Sequence, residues 1–349
     1  MENARIIDAN LNRASEALRV IEEVARFYMD DPDLTESFKI IRHKINNNLT
    51  DNYLDLLKAR DSEADIGPQI ANTSTRKELS DILKANFKRC QQALRVLEEY
   101  MQFDKSLDSN VFQSARYELY TLEKKMNLKA QKIYKNKRLE NRKLYLVTDR
   151  SKFIDENAFL DAILLAIRGG VDIIQLREKT ATAKEFIYLA KKIRTLCAEY
   201  DVLFIVNDRV DIAYAVNADG VHLGQDDMDI QNARKILGEQ AIIGNSTHKP
   251  EDAINAMKNG ADYAGVGPVF ATPTKPGRQA VGIEYVQWAA QNINIPFFAI
   301  GGIDENNIEE VINAGATRVA VVRAIMNAHN PEETARKMLD KLSLARSVL

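Results

Sequence analysis

From Lys143 onward the chain repeats one arrangement eight times: a short apolar run rich in β-branched or aromatic residues, then a stretch with helical spacing. The runs are KLYLVTD, VDIIQLR, VLFIVND, DGVHLG, AIIGNS, DYAGVG, PFFAIGG and TRVAVVR. Continuous apolar runs suit strands covered on both faces. Amphipathic stretches such as Ala158 to Arg168 and Thr182 to Tyr200 supply the crossovers that parallel strands need. Eight such units predict an α/β fold closed into a (β/α)8 TIM barrel. The alternative, an open doubly wound sheet, would leave two bare edges, and no GxGxxG loop follows the first run.

The chain has 349 residues, more than the roughly 250 that a single barrel takes. Of its 15 glycines only Gly67 precedes position 140, and of its 8 prolines only Pro32 and Pro68 do. The first part therefore has a different architecture. It contains an internal repeat, Ala9 to Glu23 against Ala85 to Glu99. Leu11, Ala14, Leu18, Ile21 and Ala25 form one helical stripe, and Phe87, Cys90, Leu94, Leu97 and Met101 form its counterpart. Further helical patterns follow each copy, around Leu34 to Leu57 and Asn110 to Lys129. The expected organisation is an all-α, internally duplicated domain over 1–138 and a barrel over 139–349.

Charge and cysteine content narrow the function. A balance of 48 basic and 50 acidic residues gives no chain-wide reason to bind nucleic acid or membrane. Two cysteines, Cys90 and Cys197, are too few for a disulfide framework and are expected as core thiols. The first residues form no signal-peptide pattern and no run reaches membrane-spanning length, so the expectation is a soluble cytoplasmic protein. Nine Lys or Arg residues between Lys124 and Lys143 face only Glu140. A solvated helix end and connector account for them better than an anion-binding strip.

Barrel chemistry sits where the strands end. After the second run, alternation points Gln175, Arg177 and Lys179 to one side, a set suited to diphosphate or to a salt-bridged rim. Asp208 and Asp227 follow the third and fourth runs, where two carboxylates converging at the mouth suit Mg²⁺. Asp226 fits a helix cap better than its neighbours do. Asn207, Ser246 and His248 share the rim. His222 and His248 lack a metal spacing and are given no ligand role. The loop Gly265 to Gly277 packs Thr272, Pro273, Thr274 and Lys275 between turn residues, an arrangement that can close over phosphate oxygens. Gly302 after the seventh run, with Val322 and Arg323 after the eighth, occupies the usual barrel phosphate position.

The ordered set YLVTDR, QLREKT, VNDR, GVHLGQDD, GNSTH, GVGPVFATPTKPG and AIGGI closely resembles thiamine-phosphate synthase over roughly residues 140 to 349. That resemblance implies a transferase joining an aminopyrimidine diphosphate to a thiazole phosphate through a pyrimidine carbocation, with release of diphosphate. It assigns Gln175, Arg177, Lys179, Asn207, Ser246 and Lys275 to the pyrimidine diphosphate, with Arg177, Lys179 and Lys275 stabilising the leaving group. It places Mg²⁺ on Asp208 and Asp227. Thr272, Pro273, Thr274, Gly302, Val322 and Arg323 fall to the thiazole phosphate. The N-terminal repeat resembles an extra domain found on some members, for which oligomerisation or structural support is expected ahead of ligand sensing. A thiazole tautomerase relative, which needs no diphosphate machinery, and a non-catalytic thiamine phosphate sensor are the alternatives.

Overall fold

The computed structural model describes residues 3–48, 53–60, 76, 78–104, 108–272 and 279–344. Two compact units divide between Ile133 and Tyr134.

In the first unit, α1 (Ala4–Glu23) continues through a π-helical turn (Val24–Tyr28) and is followed by α2 (Pro32–Asn47) and α3 (Tyr53–Ala59). The second copy supplies α4 (Leu79–Asp104) and a long α5 (Asn110–Glu140), which continues past the division between the units. The repeated apolar stripes meet where α1 packs on α4. Ala14, Leu18 and Ile21 are buried with Phe87, Cys90, Leu94 and Leu97, while Leu11 is only partly buried.

The paired polar residues of the repeat serve this packing. Asn10 and Asn86 each donate from Nδ2 to the carbonyl four residues earlier, both at 2.8 Å. Glu22 accepts from Arg19 (3.2 Å) and Arg42 (2.9 Å). Its repeat mate Glu98 accepts from Arg95 (3.0 Å) and Arg116 (2.9 Å). Burial pushes the Glu98 carboxyl up, but Arg116 and Arg95 outweigh it and hold the group below the usual carboxylate range. Each buried acid thus ties the repeated helix to the helix that follows it.

In the second unit all eight expected strands form. They are β1 (Leu144–Val147), β2 (Ile173–Leu176), β3 (Leu203–Asn207), β4 (Gly220–Leu223), β5 (Ile242–Thr247), β6 (Tyr263–Val266), β7 (Phe297–Ile300) and β8 (Val319–Val321). All pair in parallel with their sequence neighbours, and β8 returns to β1, closing the barrel. The outer layer is α6 (Glu156–Arg168), α7 (Ala183–Glu199), α8 (Val210–Ala215), α9 (Ile230–Leu237), α10 (Pro250–Lys258), α11 (Gly282–Asn292), α12 (Ile308–Asn313), α13 (Arg323–Met326) and α14 (Pro331–Leu344).

Strand parity separates two cores. Leu144, Leu146, Ile174, Leu176, Phe204 and Val206 belong to the cluster that includes the buried helix residues. Tyr145, Ile173, Leu203, Ile205, Tyr263 and Phe298 form a second cluster in the barrel interior. Leu139, at the end of α5, joins this interior cluster and is fully buried. Cys90 and Cys197 are free, buried thiols, one in each unit.

In the lysine-rich segment Lys124, Lys125, Lys132 and Lys137 are exposed, as a solvated helix end requires, but three other cations depart from that expectation. Lys135 is buried and pairs with Asp262 at 2.7 Å, Arg138 pairs with Asp219 at 2.8 Å, and Arg142 pairs with Asp201 at 2.9 Å. Asp219 and Asp262 directly precede β4 and β6. Each also accepts a backbone NH of the preceding strand, from Phe204 and Ile243, at 2.8 Å. The cations of α5 therefore neutralise carboxylates that pin the starts of the strands.

Candidate active site

The opposite, C-terminal ends of the strands surround a cavity of about 330 Å³. Inward parity brings Gln175 of β2, Asn207 of β3, His222 of β4 and Ser246 of β5 to its wall, with Arg177 just beyond β2. Thr272, Gly302, Val322 and Arg323 line it as well. Eight of the expected site residues thus share one cavity. Pro273, Thr274 and Lys275 lie outside the described residues.

Backbone pairing sets the exit of β2. The NH of Thr148 donates to the Gln175 carbonyl at 2.9 Å, and the NH of Arg177 donates to Thr148 Oγ1 at 3.2 Å. Arg177 therefore leaves the sheet at a fixed point on the cavity rim. Between it and Lys179, the Glu178 carboxyl is pushed up chiefly by burial, against the charge of Arg150.

Lys179, Asp208 and Asp227 form an adjoining cluster. The Lys179 ammonium contacts the Asp208 carboxylate. Asp208 has φ +59, a left-handed conformation, with its NH bonded to the His222 carbonyl at 2.8 Å. Such a conformation is uncommon outside glycine, and Asp is among the residues that tolerate it. Asp227 accepts from the Gly224 NH at 2.7 Å.

The two carboxyl groups perturb each other's protonation in opposite directions. Burial would raise Asp208, but Lys179 and Asp227 hold it below the usual range; burial and Asp208 together push Asp227 up. The donor set is two close oxygen acids, and among the described residues no group of three or more His, Cys, Asp or Glu gathers to hold a metal. The chemistry of two carboxylates suits a hard cation such as Mg²⁺, which takes oxygen ligands and completes its shell with phosphate and water. Asp226 is not the cap of α9: Asp229 fills that position, accepting from the Asn232 NH at 2.8 Å.

The far wall is built from backbone. Gly302 has φ +67, and an added Cβ would lie 2.7 Å from Phe270 Cβ and 2.9 Å from the Ala271 carbonyl oxygen. Only glycine allows β7 to turn this closely under the loop after β6. Val322 precedes α13 without a side-chain cap, so the first turn of that helix keeps NH groups that an anion can take.

Sequence reasoning passed over Tyr145, Tyr263 and Phe298, which line the cavity floor. Their signal was parity: each stands at an inward position of its run. His222, given no ligand role, bonds through Nδ1 to the Tyr263 hydroxyl at 3.0 Å and through Nε2 to Ser246 Oγ at 2.9 Å.

Comparison with known proteins accords with this architecture. Residues 144–325 match the family described as thiamine monophosphate synthase, and residues 5–125 match the ThiD2 family. A thiamine-phosphate synthase of Thermosynechococcus vestitus is 45% identical over 97% of this chain and 95% of its own length. One from Synechocystis sp. is 45% identical over 97% and 96%. The solved thiamine phosphate pyrophosphorylase of Pyrococcus furiosus is 38% identical with a TM-score of 0.54, covering 61% of this chain and 98% of its own. Two family matches in the same order as the helical unit and the barrel, together with relatives aligned along nearly the whole chain, lead to one assignment: the chain belongs to the thiamine-phosphate synthase family.

Proposed function

We propose that the barrel joins 4-amino-2-methyl-5-(diphosphooxymethyl)pyrimidine to 4-methyl-5-(2-phosphooxyethyl)thiazole, forming thiamine phosphate and releasing diphosphate. The observation that carries this reading is one cavity whose lining brings together residues from β2, β3 and β5 with residues that follow β7 and β8. Arg177, which follows β2, lines it together with Gly302 after β7 and Val322 and Arg323 after β8, and Lys179, two residues beyond Arg177, pairs with Asp208 after β3. A thiazole tautomerase would have no use for Arg177 and Lys179, and a sensor would need no cluster suited to a metal beside a leaving group.

The pyrimidine enters between Gln175, Asn207 and Ser246, with its diphosphate toward Arg177 and Lys179. Asp208 and Asp227 would hold Mg²⁺, which when bound neutralises diphosphate charge. Arg177, with its planar fork, and Lys179 meet the oxygen that gains charge as the C–O bond breaks; Lys275 is assigned the same task from sequence. The pyrimidinylmethyl cation is then captured by the thiazole nitrogen, whose phosphate is held by backbone NH groups near Gly302 and Val322, with Thr272, Pro273 and Thr274 closing that side. No protein nucleophile takes part. The protein would act in the cytoplasm on small phosphorylated substrates.

Single-turnover product formation from both purified substrates with Mg²⁺ tests the reading. Thiamine phosphate should appear together with one equivalent of diphosphate. Turnover of the thiazole alone, or tight binding of thiamine phosphate without synthesis, would establish one of the alternatives instead.

A further inference from the structure

Beneath the cavity a single hydrogen-bond chain crosses the barrel interior. Gln175 Nε2 donates to the Tyr145 hydroxyl at 2.6 Å, and the Tyr145 and Tyr263 hydroxyls meet at 2.8 Å. Tyr263 bonds His222 Nδ1 at 3.0 Å, and His222 Nε2 bonds Ser246 Oγ at 2.9 Å. The two ends, Gln175 and Ser246, are the cavity residues assigned above to the pyrimidine. The three links between them have no role in the reaction described so far.

The sequence makes room for this chain. A Cβ on Gly244 would stand 2.0 Å from Tyr263 Cζ and 2.4 Å from its hydroxyl, and one on Gly265 would stand 3.2 Å from His222 Cε1. Phe298 packs edge-on against both tyrosine rings, with centroids 5.2 and 5.5 Å away. Away from the cavity, Phe298 and the close backbone at Gly244 and Gly265 thus confine the tyrosine and imidazole rings.

Hydrogen counting gives the chain a direction. A phenol has one hydrogen to give, and a neutral imidazole has one donor nitrogen and one acceptor. With Gln175 donating to Tyr145 and His222 neutral, the arrangement that leaves no buried hydroxyl hydrogen stranded has Tyr145 donating to Tyr263 and Tyr263 to His222 Nδ1. The imidazole hydrogen then lies on Nε2 and goes to Ser246, whose own hydrogen is left for the cavity. Burial pushes both phenols far up, so neither leaves the chain by ionising.

With one of its two amide hydrogens given to Tyr145, Gln175 keeps its carbonyl oxygen as the acceptor it offers the cavity. Reversing the chain turns every link around. The cavity would then meet an amide donor at β2 and a hydroxyl acceptor at β5, and any mixed state strands a buried donor or acceptor.

We propose that Tyr145, Tyr263 and His222 are positioning residues whose common hydrogen-bond direction makes Gln175 an acceptor and Ser246 a donor, selecting a 4-aminopyrimidine over its 4-oxo counterpart. An exocyclic amine donates and its ring nitrogens accept, whereas the oxo ring presents the opposite pattern. The inference rests on the proposed placement of the pyrimidine.

Two measurements on the full chain test it. The four histidines are labelled with ¹⁵N, His222 is assigned by loss of its signals in His222→Gln, and the ring is read at a pH where it is neutral. The expected tautomer carries hydrogen on Nε2; hydrogen on Nδ1 would overturn the proposal. Calorimetry then compares the 4-amino and 4-oxo pyrimidine diphosphates. Wild type should prefer the amino ring. Tyr263→Phe and, independently, Tyr145→Phe should each lower that preference about tenfold, about 1.4 kcal/mol, while thiazole phosphate affinity stays unchanged and reports folding. Preference retained in a variant that still binds thiazole phosphate overturns the inference even if wild type makes thiamine phosphate. Wild type that binds neither pyrimidine defeats the functional reading itself.

Discussion

Asp208 shows how much one residue can decide at the barrel mouth. Its left-handed backbone and the bond from its NH to the His222 carbonyl turn its carboxylate to meet both Lys179 and Asp227. Asp208→Asn combined with Asp227→Asn should weaken Mg²⁺ affinity in the presence of diphosphate at least about tenfold, since a divalent ion held partly by phosphate takes few protein ligands. Calorimetric titration checks this, and unchanged Mg²⁺ binding would remove the assignment. A second prediction concerns Glu98, whose folded-state proton affinity is lowered by Arg116 and Arg95 despite burial. Its stabilising contribution is complete above the unfolded value near 4.5 and fades as pH falls through the lowered folded value. Glu98→Gln should therefore be less stable than wild type at neutral pH and lose less stability on acidification, as urea midpoints from pH 6 to pH 3 would show.

Whole elements were more legible than their partners. Eight apolar runs predict eight strands because strand burial is a local pattern, and the stripe containing Leu18 and Leu94 predicts the repeated helices for the same reason. Gln175 was accessible through alternation and Ser246 through its place at the end of the fifth run, yet Tyr145 and Tyr263, at the same inward parity, were not seen as cavity residues because their partners come from distant strands. Lys135 of α5 was missed for a similar reason. Nothing near Lys135 in sequence indicates Asp262, so a buried ion pair resembled a solvated helix end. Leu139 was likewise invisible as an interior residue, although it completes the cluster containing Ile173, Leu203 and Phe298. Leu139→Ala should cost about 2–5 kcal/mol, read from chemical denaturation, with the substrate affinities of the folded protein unchanged. A cost near zero would mean that the end of α5 does not support the barrel.

At the scale of the molecule, the question is whether the barrel performs its chemistry without the helical unit. Every residue assigned to substrate or metal lies beyond Lys143. The expected domain limit at 138 falls inside α5, while the compact units divide between Ile133 and Tyr134. We propose that the segment from Tyr134 to Glu140 belongs functionally to the barrel, because Lys135, Arg138 and Leu139 neutralise its strand-start carboxylates and fill its interior. A fragment beginning at Lys129 retains all three, whereas one beginning at Asn136 removes Lys135 from the buried Asp262, which then keeps Arg234 at 2.6 Å as its remaining cation. The longer fragment should form thiamine phosphate in a single turnover at a rate within about threefold of the full chain, a difference below about 1 kcal/mol in barrier height. The shorter one should catalyse the same step but unfold with about 2 kcal/mol less stability, the scale of a lost charged hydrogen bond. Both comparisons use saturating substrates and Mg²⁺, with circular dichroism and calorimetry establishing folding and binding first. If the longer fragment folds and binds both substrates yet cannot join them, the helical unit must supply part of the reaction. Arg19 and Arg95, with Arg13 and Arg89 at matching positions of the Ala9 to Glu23 and Ala85 to Glu99 repeat, are then the first side chains to substitute in the full chain.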